Sequence, residues 1–152
     1  MKDGQLFQRY VPALEVAPFM PEIARLSEPH FFGPFYMFRA ELLGDVRFQS
    51  GLTHCEDLVF FFQIAAQTGV LYGGVEGCVY EYTVRPDSAM SNLVGIENGY
   101  VAYVHAVQKS AQVEKADLDF LKKKISMIML KSWLRVFRPV KAISAFLKFR
   151  NL

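Results

Sequence analysis

From Leu58 to Ala66 the chain is apolar at almost every position: Leu58, Val59, Phe60, Phe61, Phe62, Ile64, Ala65 and Ala66. A helix over residues 56–68 would carry these side chains nearly all the way round its axis. Such a helix is stable only when the rest of the molecule encloses it. Two acids, Glu56 and Asp57, open the run. Thr53 or His54 stands where a cap belongs, and Gly69 stands where the helix should stop.

The remaining pattern predicts what surrounds that helix. Pro12, Pro18, Pro21 and Pro29 restrict the first thirty residues to short strands and turns, with one helical turn over 22–26. Residues 31–38 read as a bend at Gly33-Pro34 followed by a short buried strand. Residues 39–43 read as a helical turn stopped by Gly44, and 45–53 as a polar loop. Residues 70–72 and 78–84 read as strands around the turn Gly73-Gly74, with Val79, Glu81 and Thr83 alternating against Tyr80, Tyr82 and Val84. Beyond Pro86 the apolar period is helical. One face carries Ile96, Tyr100, Tyr103, Val104, Val107 and Ala111, and a second carries Leu118, Leu121, Ile125, Ile128 and Ser132, broken by Pro139. A last helix over 140–150 sets Val140, Ile143, Phe146 and Leu147 against Lys141, Ser144 and Lys148. The expected fold class is therefore α/β or α+β: a small mixed sheet with a buried helix packed on it, followed by amphipathic helices.

With 152 residues, 52% of them hydrophobic, the chain suffices for one body with its own core. Its fourteen phenylalanines imply either a dense core or an apolar surface that a partner covers. Charge is divided unevenly. Through Phe120 there are 8 basic and 15 acidic residues, a balance of −7; from Leu121 onward there are 9 basic and no acidic residues, a balance of +9. Met1-Lys2-Asp3-Gly4-Gln5 lacks the basic-then-apolar pattern of a secretory leader. Cys55 and Cys78 are too few to staple a domain of this size, so reduced thiols in the cytoplasm are expected.

Acids in the first turn of a helix interact favourably with its positive end, and Glu56 and Asp57 are explained by that alone. A chemical role needs a carboxylate that is held in place and made more basic by burial or a neighbouring negative charge, which Glu56 supplies. The helix dipole acts in the opposite direction, so a base at Asp57 is expected to stay ionised and to orient and polarise a hydroxyl.

The order of segments adds a context for the pair. Met37-Phe38-Arg39-Ala40-Glu41-Leu42-Leu43 comes first, then a glycine-bearing loop, then Cys55-Glu56-Asp57-Leu58. Tyr80-Glu81-Tyr82-Thr83-Val84-Arg85 follows, with Ser88 and Ser91. This order resembles the acceptor-side half of glycosyltransferase family 2. The resemblance covers about residues 32–92 and implies a partial GT-A-like fold over 1–95, with 96–152 as a helical extension packed on it. It implies inverting transfer of a sugar from a nucleotide donor to a saccharide or lipid-linked acceptor. In that reading Asp57 is the catalytic base with Glu56 beside it, and Arg85, Ser88 and Ser91 lie against the donor diphosphate. The nucleotide-binding half, with the Asp-x-Asp motif that holds Mg or Mn, would lie upstream of this region, where only some thirty residues are present. The chain is thus expected to be a fragment or truncated relative without a metal site of its own. The alternative is a non-catalytic binding or membrane-associated module that keeps the fold.

Other groups invite and resist chemical readings. His30, His54 and His105 are widely separated, with no Cys or His pair at zinc spacing. Cys55 has no identifiable partner for nucleophilic work and reads as a small buried hydrophobe. Three readings of the basic C-terminal segment stay open. It forms a solvated helix face, or an interfacial helix anchored by Trp133, Phe137, Phe146 and Phe149, or a nucleic-acid surface, which the absence of a recognition motif disfavours. The expected partners are a nucleotide-sugar, a saccharide acceptor, a second copy of the chain and a membrane surface, but no nucleic acid. The expected location is cytoplasmic, peripheral at the inner membrane face.

Overall fold

The computed structural model describes residues 8–10, 17–26, 37–67, 70–73, 80–82 and 91–152. In chain order these form β1 (Gln8–Tyr10), β2 (Ala17–Pro18), α1 (Phe19–Arg25), a 3-10 turn (Ala40–Leu42), α2 (Glu56–Ala65), β3 (Leu71–Tyr72), β4 (Tyr80–Tyr82), α3 (Leu93–Gln108), α4 (Lys115–Arg135) and α5 (Pro139–Asn151). The bend at Gly33-Pro34, the turn at Gly74 and the end of the strand at Pro86 lie outside the described residues.

The expected α/β or α+β mixed sheet, and with it the partial GT-A-like sheet, is not what these residues build; they are mostly helical. The extended segments make two separate antiparallel pairs of two or three residues each. Gln8 to Tyr10 run opposite Tyr82 to Tyr80, and Ala17 and Pro18 opposite Tyr72 and Leu71. Strands this short cannot form a packing layer. Nor do the two strands flanking Gly73 pair with each other, because each takes a partner from the N-terminal segment. The Phe19 amide extends the β2–β3 pairing by donating to the Val70 carbonyl at 3.1 Å.

Helices and aromatic rings enclose α2 instead. Leu58 to Phe62, Ile64 and Ala65 are all buried, with α1 on one side and α3 on another. Phe48, from the loop after the 3-10 turn, stacks on Phe60 with ring centroids 4.2 Å apart. Phe38 meets both Phe60 and Phe61, and Phe62 lies edge-on to Tyr103 at 6.1 Å. Each such ring removed from water contributes about 1.5–3 kcal/mol, which is why an apolar run of this density selects burial over any exposed arrangement.

The other helices follow from local chemistry. Pro21 falls in the first turn of α1, where its missing N–H breaks no helical bond. Leu26 ends that helix in the left-handed region at φ 50, with its side chain fully buried. Asn92 caps α3, its Oδ1 accepting from the Gly95 amide at 3.0 Å. Along α4, Leu121, Ile125, Met129 and Trp133 recur every four residues and are all buried. The Arg25 guanidinium meets the Asp117 carboxylate at 2.7 Å, tying α1 to the start of α4. Lys124 donates to the Leu26 carbonyl, and the Tyr103 hydroxyl donates to the Ile23 carbonyl inside the core.

The last helix departs from its expected orientation. Ala142, Ala145 and Phe149 face the core, whereas Val140, Ile143 and Leu147 are exposed and Phe146 is partly buried. Small residues let α5 lie close on α4, and this outweighs the larger side chains of the opposite face. Trp133 and Phe149, expected as surface anchors, are buried. The Trp133 indole N–H donates to Glu97 at 3.1 Å, and Phe149 lies edge-on to Tyr100. The second oxygen of Glu97 accepts from Lys148 at 2.9 Å, so one carboxylate joins α3, α4 and α5. No helix among the described residues is long and apolar enough to cross a membrane.

Candidate functional site

Asp57 lies in the first turn of α2, partly buried, with Oδ1 accepting from the Leu58 amide at 2.8 Å. Burial is the largest influence on this carboxyl and raises its pKa above the usual 3.8. Hydrogen bonds from the Leu58 and Asp57 amides act to lower it, and the charge of Glu56 raises it further. The net direction is upward, opposite to what the helix dipole alone predicts, because desolvation of a carboxylate outweighs the partial charges at the helix end. The result is a more basic carboxylate held by its own backbone.

The loop that delivers Asp57 is fixed by contacts that sequence periodicity does not register. Neither Thr53 nor His54 caps α2; the Thr53 hydroxyl bonds His54 Nδ1 at 2.9 Å instead. The capping position falls to Cys55, which sits in the left-handed region at φ 56 and makes no side-chain cap bond. This turn is pressed into a notch on α3 made by Gly95 and Gly99. A Cβ on Gly95 would come within 2.4–2.5 Å of the His54 imidazole. One on Gly99 would come within 2.3 Å of the His54 carbonyl oxygen and 3.0 Å of Cys55 Cβ. Residues four apart share a helix face, so the pair of glycines forms one continuous recess. The signal that could have revealed it is the Gly-x-x-x-Gly spacing itself, which removes side chains from one stripe of a helix.

Through this notch the N-terminal ends of α2 and α3 are brought together. Ser91, exposed, immediately precedes the capping Asn92 at that end of α3. Arg85 and Ser88 lie outside the described residues. The Cys55 thiol sits 4.0 Å from the Ile96 carbonyl, and burial, then the charges of Asp57 and Glu56, push its pKa up to about 12. It is a protonated, apolar neighbour of the acid pair. Tyr100, buried on the next turn of α3, has its hydroxyl pKa raised by burial and then by Cys55 and Asp57. It places a protonated phenol in the field of the same carboxylate.

The divalent cation implied by the family resemblance would need a set of acidic ligands. Among the described residues no three His, Cys, Asp or Glu side chains gather in a group that could hold a metal ion. Asp117, in the first turn of α4, is engaged by Arg25 at 2.7 Å. The described residues therefore do not fit that ion. What the arrangement can do is present one partly buried, more basic carboxylate, in the field of a protonated thiol and a protonated phenol, to a hydroxyl arriving from solvent.

No family model matches this chain, and comparison with curated proteins and with solved structures likewise yields no match.

Proposed function

We propose that this chain is the acceptor-side part of an inverting glycosyltransferase, with Asp57 as the base that receives the acceptor proton. The observation that carries the reading is the state of Asp57: a partly buried carboxylate, anchored by the Leu58 amide and made more basic by burial and by Glu56. The order of segments from Met37 to Ser91 supports it, and the reading rests on those residues rather than on a shared sheet. In the reaction, the acceptor oxygen forms a bond to the anomeric carbon as the bond from that carbon to the diphosphate breaks. The hydroxyl proton passes to Asp57, and the nucleoside diphosphate departs with the bonding pair. Glu56 keeps Asp57 basic, and Ser91 at the start of α3 offers a hydroxyl to the departing oxygens.

The test is transfer by the chain together with whatever its reading frame encodes before Met1, using a panel of nucleotide-sugars and saccharide or lipid-linked acceptors. Product with inverted anomeric configuration is expected. Asp57→Asn should lower kcat by about 100-fold or more at unchanged donor affinity. Retention of configuration, or an Asp57→Asn variant as active as the parent, would contradict the assignment.

A further inference from the structure

The turn between α4 and α5 carries large apolar side chains outward. Phe137 is 90% exposed and Val140 80% exposed, and Leu134, Val136, Ile143 and Leu147 are exposed with them. Val140, Ile143 and Leu147 recur at three and four residues and so share one face of α5.

The backbone at this turn is unusual as well. The Phe137 amide donates to the Leu134 carbonyl and the Arg138 amide to the Trp133 carbonyl, both at 3.0 Å. That is the pattern of a helix end closed through a left-handed residue, a position where glycine is normal. Here phenylalanine occupies it at φ 57. A strained residue with a large apolar ring held in solvent is a costly combination that a glycine would avoid on both counts.

Charge identifies what the ring meets. Lys131, Arg135, Arg138 and Lys141 are all exposed around this end of the hairpin, and no acid occurs from Leu121 onward. The Lys141 ammonium lies over the Trp133 ring, 4.9 Å from its centroid, which holds one of these cations at the turn. A second copy of the chain would bring the same four cations against each other across a two-fold axis, where like charges oppose association. Nucleic acid would satisfy the cations and leave the apolar face wet. An anionic bilayer surface satisfies both, with acyl chains for Phe137 and α5's outer face and headgroups for the basic rim.

We propose that the α4–α5 hairpin end is a docking surface for anionic lipid, with Phe137 as its leading anchor and Lys131, Arg135, Arg138 and Lys141 as its headgroup contacts. This inference is independent of the sugar-transfer reading, and Asp57→Asn should bind vesicles as the parent does.

Co-sedimentation of the full chain with phosphatidylcholine vesicles, with and without roughly 30% phosphatidylserine, decides it. The expected result is partitioning at least about tenfold stronger with phosphatidylserine, weakened at high salt. The double variant Phe137→Gly, Val140→Ser should lose about tenfold or more of that partitioning while melting no lower than the parent, since glycine relieves the strain at position 137. Arg135→Glu with Arg138→Glu leaves the apolar residues in place and should abolish the dependence on phosphatidylserine. Equal sedimentation with both vesicle types, or undiminished binding by Phe137→Gly, Val140→Ser, would overturn the proposal. So would a lipid-free dimer that this double variant dissociates, because it would assign the surface to self-association.

Discussion

Replacing Gly99 by alanine should destabilise the protein, although glycine-to-alanine changes inside helices ordinarily do the reverse. Alanine is favoured over glycine in a helix interior by about 1 kcal/mol. At position 99 the added Cβ would sit 2.3 Å from the His54 carbonyl oxygen and 2.8 Å from its carbonyl carbon. Both are backbone atoms, so the whole turn over 53–55 must retreat rather than a side chain swing aside. Overpacking of this kind costs about 1–3 kcal/mol, to which the loosened packing of Cys55 against α3 adds, leaving a net loss of about 1–2 kcal/mol. With a urea slope of about 2 kcal/mol per molar, the unfolding midpoint should fall by roughly 0.5–1 M. Trp133 is buried and is the only tryptophan, so its fluorescence and far-UV circular dichroism report the same transition. Gly95→Ala serves as the internal control. Its Cβ would meet only side-chain atoms, of the His54 imidazole and the Asn92 amide nitrogen, which can give way by small shifts, and its stability should lie within about 0.5 kcal/mol of the parent. A Gly99→Ala protein as stable as the parent, or more so, would show that the 53–55 turn is not seated in the notch.

Two further outcomes follow from the protonation states at the same place. Because the folded state raises the pKa of Asp57, it binds the proton more tightly than the unfolded chain does, and stability falls as pH rises from the usual 3.8 through the folded value. Asp57→Asn should therefore unfold at higher urea than the parent at pH 7, the two curves converging below pH 3.8; a lower midpoint at pH 7 would refute the desolvation argument. The Cys55 thiol, pushed up to about 12, should react with iodoacetamide at pH 8 roughly a thousandfold more slowly in the folded protein than in urea, as read by mass spectrometry of the peptide carrying it. Labelling of the folded protein at the unfolded rate would show that Cys55 is not buried against α3.

Much of the helical content was legible because it depends on local periodicity. The helix expected over 56–68 is α2, shortened to Ala65. The period through Tyr100, Tyr103, Val104 and Val107 is α3, and the break before Pro139 separates α4 from α5. The mixed sheet expected from the sequence does not form, because alternation over a few residues states that a segment is extended and leaves its partner open. The segments around Gly73 found separate partners, β2 and β1, near the start of the chain. The acid pair was visible as a candidate from its place before an apolar run, but the direction of the Asp57 shift depends on burial, a property of the whole fold.

Residues 58–66 by themselves determined that a helix must be enclosed, since no solvent-exposed arrangement accommodates apolar side chains all round an axis. The absence of acids beyond Leu121 likewise determined a basic C-terminal segment. Which face of α5 meets the core was decided only by tertiary structure. A short turn through a left-handed Phe137 sets the rotation of α5, and Ala142 and Ala145 permit close approach to α4, so the bulkier stripe through Val140, Ile143 and Leu147 is turned outward. Hydrophobic period measures which residues share a face, whereas the closeness of two helices is set by what is missing from that face. The same reason hides the Gly95–Gly99 recess that seats the turn before Asp57.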